Sequence, residues 1–334
     1  MTPKGALALV FSMIAVAVHA QQPSRSSGFP VYRLAEGPLV LPPMIVGPQQ
    51  SPQPSQIAPP PAPGVPAGNT ETIAVGGKPR SYVIERPAIA GPRPTIFILH
   101  GASGAIRELH DLPQLAAGAG AVSVIPNGVG GRWNFFPPGK ESQTDRVFFQ
   151  QQYGGLPDDV GFLKAIAADL VARGIADPRR IFVAGLSLGG VMALRLACTD
   201  AETFAAIALL IAGMEESTGA ECRPAKPLPV FMIRGTADQI IPDAGGLTVR
   251  GDRVWATERL TSFFSRLNGC TGPPIRSVAA QSPQRIETET SSACTGGPVV
   301  LYRVVGGGHE VPPVLNAGSL VLDFFREQTA IPQR

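Results

Sequence analysis

Ser187 stands in the pentapeptide Gly185-Leu186-Ser187-Leu188-Gly189, after the apolar run Ile181-Phe182-Val183 and before a helix-forming stretch at residues 191–196. A serine at a strand-to-helix junction, with glycine two residues to either side, can project from a tight elbow because both glycines let backbone approach backbone. The helix N-terminus beneath it favours developing negative charge. The chemistry would be acyl transfer to a hydroxyl. The bland reading is a small-residue turn packed under a helix. A serine of ordinary pKa needs a base, and past residue 20 the chain offers only His100, His110 and His309.

His309 follows Gly306-Gly307-Gly308, which comes after the apolar run Val299-Val300-Leu301-Tyr302. This predicts a flexible loop at the C-terminal edge of a sheet. Among the three, only His309 gives the chain order Ser, acid, His that an elbow of this kind uses. His110, in a predicted helix with charged neighbours, reads as an ordinary surface or core residue. The acid is expected on the loop after another strand. Asp238 meets that in Gly235-Thr236-Ala237-Asp238, right after Val230-Phe231-Met232-Ile233, with Asp243 as the fallback. Its task is to hold the imidazole in one tautomer and stabilise its cation, although such loops also carry aspartates that only form turns.

An oxyanion needs two backbone donors. One is expected from the N–H of Leu188, and the other from the loop His100-Gly101-Ala102-Ser103-Gly104, with Ala102 first and Ser103 second. A plain glycine turn is the alternative for that loop. His100, Ser103 and Trp133 are the candidates for touching substrate. Trp133 equally reads as a cover over core.

These residues need a frame, and the sequence supplies one. Short apolar runs bounded by turn residues recur at 95–99, 122–125, 181–183, 206–210, 230–233 and 299–302. They are the continuous type that a parallel sheet buries on both faces. A hairpin at 72–75 and 81–85, turned by Gly76-Gly77, opens the series. Helical periods lie between the runs. Val160, Leu163, Ile166, Ala167 and Leu170 share one face, with Asp158 or Asp159 as the cap and Gly174 at the end. Leu260, Phe263, Phe264 and Leu267 share another, and Leu320, Val321, Phe324 and Phe325 a third. The expected fold is α/β, a mostly parallel sheet flanked by helices. Residues 128–152 are left without assigned structure.

The chain has 334 residues and a formal charge of +3 with only 16% charged residues, which argues against a nucleic-acid surface. With 44% hydrophobic residues it can bury an ordinary core. No repeat is visible, which removes solenoids and propellers. Residues 1–20 read as a secretory signal, with Lys4, an apolar run and Val18-His19-Ala20 as the cleavage site. The run is shorter than the roughly 20 residues a spanning helix needs, so no stable membrane insertion is expected after cleavage; an uncleaved anchor is the weaker reading. Residues 21–68 hold 13 of the 35 prolines and favour extended polyproline II, as a linker, an envelope spacer or a merely tolerated tail. Residues 69–334 are expected to form one catalytic domain.

Six stretches in order resemble a known family: Leu99-His100-Gly101, Pro126-Asn127-Gly128 with Trp133-Asn134, Asp158-Asp159-Val160-Gly161-Phe162, the serine elbow with Gly189-Gly190, Gly235-Thr236-Ala237-Asp238 with Ile241-Pro242, and Gly306-Gly307-Gly308-His309. From about Thr72 onward the chain resembles the secreted α/β-hydrolases grouped as poly(3-hydroxybutyrate) depolymerase and feruloyl esterase like proteins. The resemblance implies the α/β-hydrolase fold, Ser187, Asp238 and His309 as a triad, and ester hydrolysis without cofactor or metal. The chain departs from the family in Arg234, where His is common, and in Glu310-Val311-Pro312-Pro313, where an aromatic usually follows the catalytic histidine. Without that aromatic, a stacking or apolar wall beside the histidine is missing. Helix capping accounts for Asp158 and Asp159.

Cys198, Cys222, Cys270 and Cys294 lack zinc spacing and, in an exported chain, favour two disulfides over free thiols or a metal. Three pairings are open; local loop closure and the resemblance favour Cys198 with Cys222 and Cys270 with Cys294. The expectation is a secreted serine esterase, periplasmic or extracellular, acting on short-chain or oligomeric hydroxyalkanoate esters. A feruloyl or acetyl esterase of plant polysaccharide is the alternative, and a non-catalytic envelope binding protein is the rival of another class. The oligomeric state is left open.

Overall fold

The apolar runs of the sequence become the centre of a ten-stranded sheet in a computed structural model, which describes residues 69–104, 106–281 and 284–328. Residues 1–20 and 21–68, read above as a secretory signal and a proline-rich linker, lie outside the described residues. In chain order the elements are β1 (Asn69–Val75), β2 (Lys78–Glu85), β3 (Arg93–Leu99), α1 (Leu112–Gly118), β4 (Val122–Pro126), α2 (Gln143–Tyr153), α3 (Asp159–Ala172), β5 (Ala176–Leu186), α4 (Leu188–Thr199), β6 (Ala206–Leu210), α5 (Glu216–Glu221), β7 (Val230–Gly235), β8 (Gly246–Leu247), β9 (Arg253–Val254), α6 (Thr257–Leu267), β10 (Gly272–Gln281), β11 (Gln284–Ser292), β12 (Val299–Val305) and α7 (Ala317–Gln328).

The sheet order is β1-β2-β4-β3-β5-β6-β7-β12-β11-β10. Neighbours from β4 to β12 pair in parallel, and both edges are antiparallel. Alternate strand residues feed two cores, as a period of two requires. Phe97 and Leu99 join the layer under α3, α4 and α6, while Ile96 and Ile98 join the layer under α1 and α7. Parallel strands buried on both sides carry no polar face, which is why they read as unbroken apolar runs.

Helix ends follow local chemistry. The Asp158 carboxylate accepts the Gly161 N–H at 2.7 Å at the start of α3, and Gly174 takes φ +66° just past its end. Only Asp158 caps, however; Asp159 is a buried anchor, described below. Three further expectations change. Residues 128–152 contain α2, capped by Ser142, whose Oγ accepts the Asp145 N–H. His110 sits in a turn between a 3-10 segment and α1 rather than in a helix. The β10–β11 hairpin was not expected. β10 lies exposed at the sheet edge with its apolar residues scattered, and β11 is mostly polar and half-buried, so no apolar run announces them.

The disulfides join Cys198 to Cys222, tying the end of α4 to the end of α5, and Cys270 to Cys294, tying the chain after α6 to the chain after β11. Among the described residues no helix is long and apolar enough to cross a membrane.

Candidate active site

Strand β5 ends on Leu186 and α4 begins on Leu188, so Ser187 is the whole turn, at φ 51° and ψ −116°. A positive φ on a non-glycine residue costs on the order of 1–3 kcal/mol and persists only where the surroundings enforce it. The glycines provide that enforcement. A Cβ at Gly185 would meet Gly189 O at 2.3 Å, and one at Gly189 would meet Leu99 O at 2.2 Å and His100 O at 2.6 Å. The start of α4 therefore presses directly on the end of β3. Leu188 is the first residue of α4, and its N–H is one of the helix-start donors that lack an intrahelical acceptor.

Ser187 Oγ lies 2.8 Å from His309 Nε2, and His309 Nδ1 lies 2.8 Å from Asp238 Oδ2. The other Asp238 oxygen accepts the N–H groups of Ile240 at 2.8 Å and Ile241 at 2.9 Å. Burial alone would raise the Asp238 pKa, but the bond from His309 and those two N–H groups outweigh it and hold the carboxyl below the usual range. An ionised carboxylate only accepts hydrogen bonds, so Nδ1 carries the proton and Nε2 faces the serine as an acceptor.

The two loops that carry this pair are bonded to each other. Ala237 N–H donates to Gly307 O at 2.9 Å and Gly306 N–H donates to Thr236 Oγ1 at 2.8 Å. A Cβ at Gly235 would meet Gly308 O at 2.2 Å, so glycine lets them close. Asp243, the fallback acid, faces away to Arg303 at 3.3 Å and Arg234 at 3.6 Å. Sequence reasoning missed the part played by Arg234. Its buried guanidinium donates from Nη2 to Ile241 O at 2.8 Å and from Nε to Thr257 Oγ1 at 3.2 Å. It props from behind the same residue whose N–H holds Asp238. The one available signal was its departure from the family's histidine.

Two of the residues expected to touch substrate lie elsewhere. His100 and Trp133 are each 1% exposed and stack on one another with centroids 4.6 Å apart. Gly128 N–H donates to His100 Nε2 at 2.9 Å, which leaves Nδ1 to donate to Gly101 O at 2.8 Å. Trp133 Nε1 donates to His100 O at 2.9 Å. Together they fix the end of β3, from which the Ala102–Gly104 turn springs, and neither lines the groove beside Ser187. Ala102 is exposed at the start of that turn. The side chain of Ser103 lies outside the described residues.

Beneath this layer Asp159 accepts from Arg80 at 2.6 Å and from Asn134 N–H at 2.7 Å, while Arg80 also donates to Asn127 O at 3.1 Å. The Asn127 and Trp133-Asn134 stretches thus share one buried ion pair. Among the described residues, no cluster of three or more His, Cys, Asp or Glu side chains is arranged to hold a metal ion.

The groove beside Ser187 is a slot of about 50 Å³, walled by Phe135, Leu188, Val191, Ile240, Val249 and Val254. Its walls are apolar, and Ser187 is among the residues that line it. The site can therefore deliver an activated hydroxyl to a carbonyl carbon while an apolar group rests alongside.

No family model matches the chain. It is 31% identical to "Putative esterase NocK" of Nocardia uniformis subsp. tsuyamanensis over 262 residues, covering 72% of this chain and 73% of that protein. The chain belongs to this esterase family. It is 33% identical to Feruloyl esterase B of Piromyces equi over 159 residues, 46% of this chain but only 29% of that relative's length. Among solved structures, an acetyl xylan esterase from Aspergillus awamori superposes with a TM-score of 0.53 over 78% of this chain and 99% of that one. At 14% identity that likeness shows the α/β-hydrolase fold alone. The family makes the protein a carboxylic ester hydrolase.

Proposed function

We propose that this esterase works through an acyl-enzyme on Ser187, with His309 as general base and acid and Asp238 as its orienting partner. The observation that carries the reading is the unbroken pair of 2.8 Å contacts from Ser187 Oγ through His309 to Asp238. Ser187 Oγ attacks the ester carbonyl as its proton passes to His309 Nε2. The N–H groups of Leu188 and Ala102 receive the oxyanion. Collapse breaks the carbonyl–alkoxy bond, and His309 returns the proton to the departing alcohol. Water then enters, gives its proton to His309 and cleaves the acyl-serine, which releases the acid and restores the hydroxyl.

The substrates we assign are short-chain or oligomeric hydroxyalkanoate esters, met by a secreted enzyme. The small apolar slot and the two disulfides support that assignment. A second reading, hydrolysis of feruloyl esters, is favoured by the name of the relative from Piromyces equi.

Triad members act as a unit, so Ser187→Ala and His309→Ala should each lower kcat on a soluble ester by roughly 10⁴ to 10⁶, and the double variant should be little worse. Near-normal turnover by Ser187→Ala would remove the mechanism. A panel of oligomeric hydroxybutyrate, polyester film, methyl ferulate and acetylated xylan separates the two substrate readings.

A further inference from the structure

The slot beside Ser187 is closed on one side by a small flap. Strands β8 and β9 pair Gly246 with Val254 and Leu247 with Arg253, and the segment lines the slot with Thr248, Val249, Arg250, Asp252 and Val254. Its tip is not fastened by apolar burial, because Leu247 is 59% and Val249 68% exposed. Glycines at positive φ sit at its bends: Gly245 just before it, Gly246 at its first residue and Gly251 in its turn. From this tip Arg250 reaches Asp145: its Nη2 donates to both carboxylate oxygens, at 2.8 and 2.7 Å, and its guanidinium passes 5.9 Å from the ring centroid of Phe135, which also lines the slot.

Asp145 is built to hold that cation. It lies in the first turn of α2 and is 2% exposed, and its Oδ2 also accepts from Ser142 Oγ at 2.6 Å. Asp145 itself does not line the slot.

We propose that the Arg250–Asp145 pair is a clamp that pins the β8–β9 flap against the Phe135 wall and thereby sets the size of acyl group the enzyme accepts. The inference rests on the esterase reading of Ser187. A slot of about 50 Å³ is a third of the roughly 150 Å³ apolar cavity that takes a benzene ring. Pinned as it is, it takes acyl groups of a few carbons and turns away aromatic ones. An aromatic acyl group enters only if the flap moves off Phe135, and that motion breaks the ion pair. Arg250 is a positioning residue for the flap, and the clamp acts on selectivity rather than on the chemical step.

The test is kcat/KM for p-nitrophenyl acetate, butyrate and benzoate with the full-length enzyme and its variants Arg250→Ala, Asp145→Ala and Arg250→Lys. The benzoate-to-acetate ratio does not depend on the fraction of enzyme folded, so simple destabilisation leaves it unmoved. The wild type is expected to favour acetate and butyrate over benzoate by roughly a hundredfold. Arg250→Ala and Asp145→Ala should each raise the benzoate-to-acetate ratio by roughly tenfold or more, with Arg250→Lys in between because it keeps the charge but loses the planar fork. Asp145→Ala keeps the helix cap, which uses its backbone N–H, so it remains testable if Arg250→Ala does not fold. Benzoate turnover by the wild type that matches acetate overturns the size limit. A shift in Arg250→Ala without one in Asp145→Ala overturns the clamp, since side-chain volume alone then explains it. If none of the three esters is cleaved, the esterase reading of Ser187 falls, and the clamp with it.

Discussion

Acid should loosen this protein at one buried histidine, His100, which does not line the slot beside Ser187. His100 is buried against Trp133, and burial pushes its pKa from 6.5 down to about 4, with the Arg80 charge adding to the effect. Unfolded, the same imidazole protonates at its ordinary pKa. Between the two values the unfolded chain holds more protons, so stability rises with pH across this window and is lost as pH falls from about 6.5 towards 4. A difference of that size corresponds to about 3 kcal/mol. That is a large share of the 5–15 kcal/mol by which domains are typically stable.

The perturbation that isolates it is His100→Gln. Glutamine can still accept the Gly128 N–H but cannot ionise. At about pH 7.5 the variant should be less stable by about 1–3 kcal/mol, having lost the bond to Gly101 O and the stacked ring. Towards about pH 4.5 the wild type loses its His100 contribution and the variant has none to lose, so the difference should move by about 2–3 kcal/mol in the variant's favour, closing or reversing the gap. Urea unfolding across that range measures the gap directly. Parallel stability profiles for the two proteins would refute the reasoning, because other titrating groups shift both alike.

Arg234→Met removes the prop behind Ile241 and loosens the Asp238 carboxylate, so kcat should fall roughly 10- to 100-fold with KM on a soluble ester little changed; active-site titration with an unaltered kcat would show the prop to be idle. Replacing both Cys198 and Cys222 by alanine opens a link with a sequence separation of 24 and should cost about 3 kcal/mol in urea unfolding. A loss below about 1 kcal/mol would mean that α4 and α5 hold each other without it.

The parts of this molecule that could be read from sequence are those whose physics is local. Runs such as residues 206–210 are apolar throughout because parallel strands are covered on both faces, and the elbow glycines are present because a Cβ at either would strike backbone. Ser187, Asp238 and His309, which the structure brings within hydrogen-bond reach of one another, could be singled out one by one because each lies on the segment after such a run. The β10–β11 hairpin escaped because neither strand is a buried apolar run: β10 is exposed at the sheet edge and β11 is mostly polar and half-buried. The anchor made by Arg80 and Asp159 escaped for another reason: the partners stand 79 residues apart, and nothing near either names the other.

The walls of the slot show where local reading stops. The sequence lacks the aromatic that commonly follows the histidine in this family, and the residue standing near that place, Val311, is buried in the core layer on the α1 and α7 side of the sheet. The groove instead draws its aromatic wall from Phe135, which sits before α2 and more than 170 residues upstream of His309. Another wall is the β8–β9 segment, from whose turn Arg250 pairs with Asp145. Neither wall shows a period, a run or a motif, because each is defined by what it faces rather than by what precedes it in the chain. Catalysis needs its groups at strand ends, where the fold itself places them. Selectivity is set by long-range contacts between irregular segments, so two esterases can share every motif of the triad and still differ in the acyl group they accept.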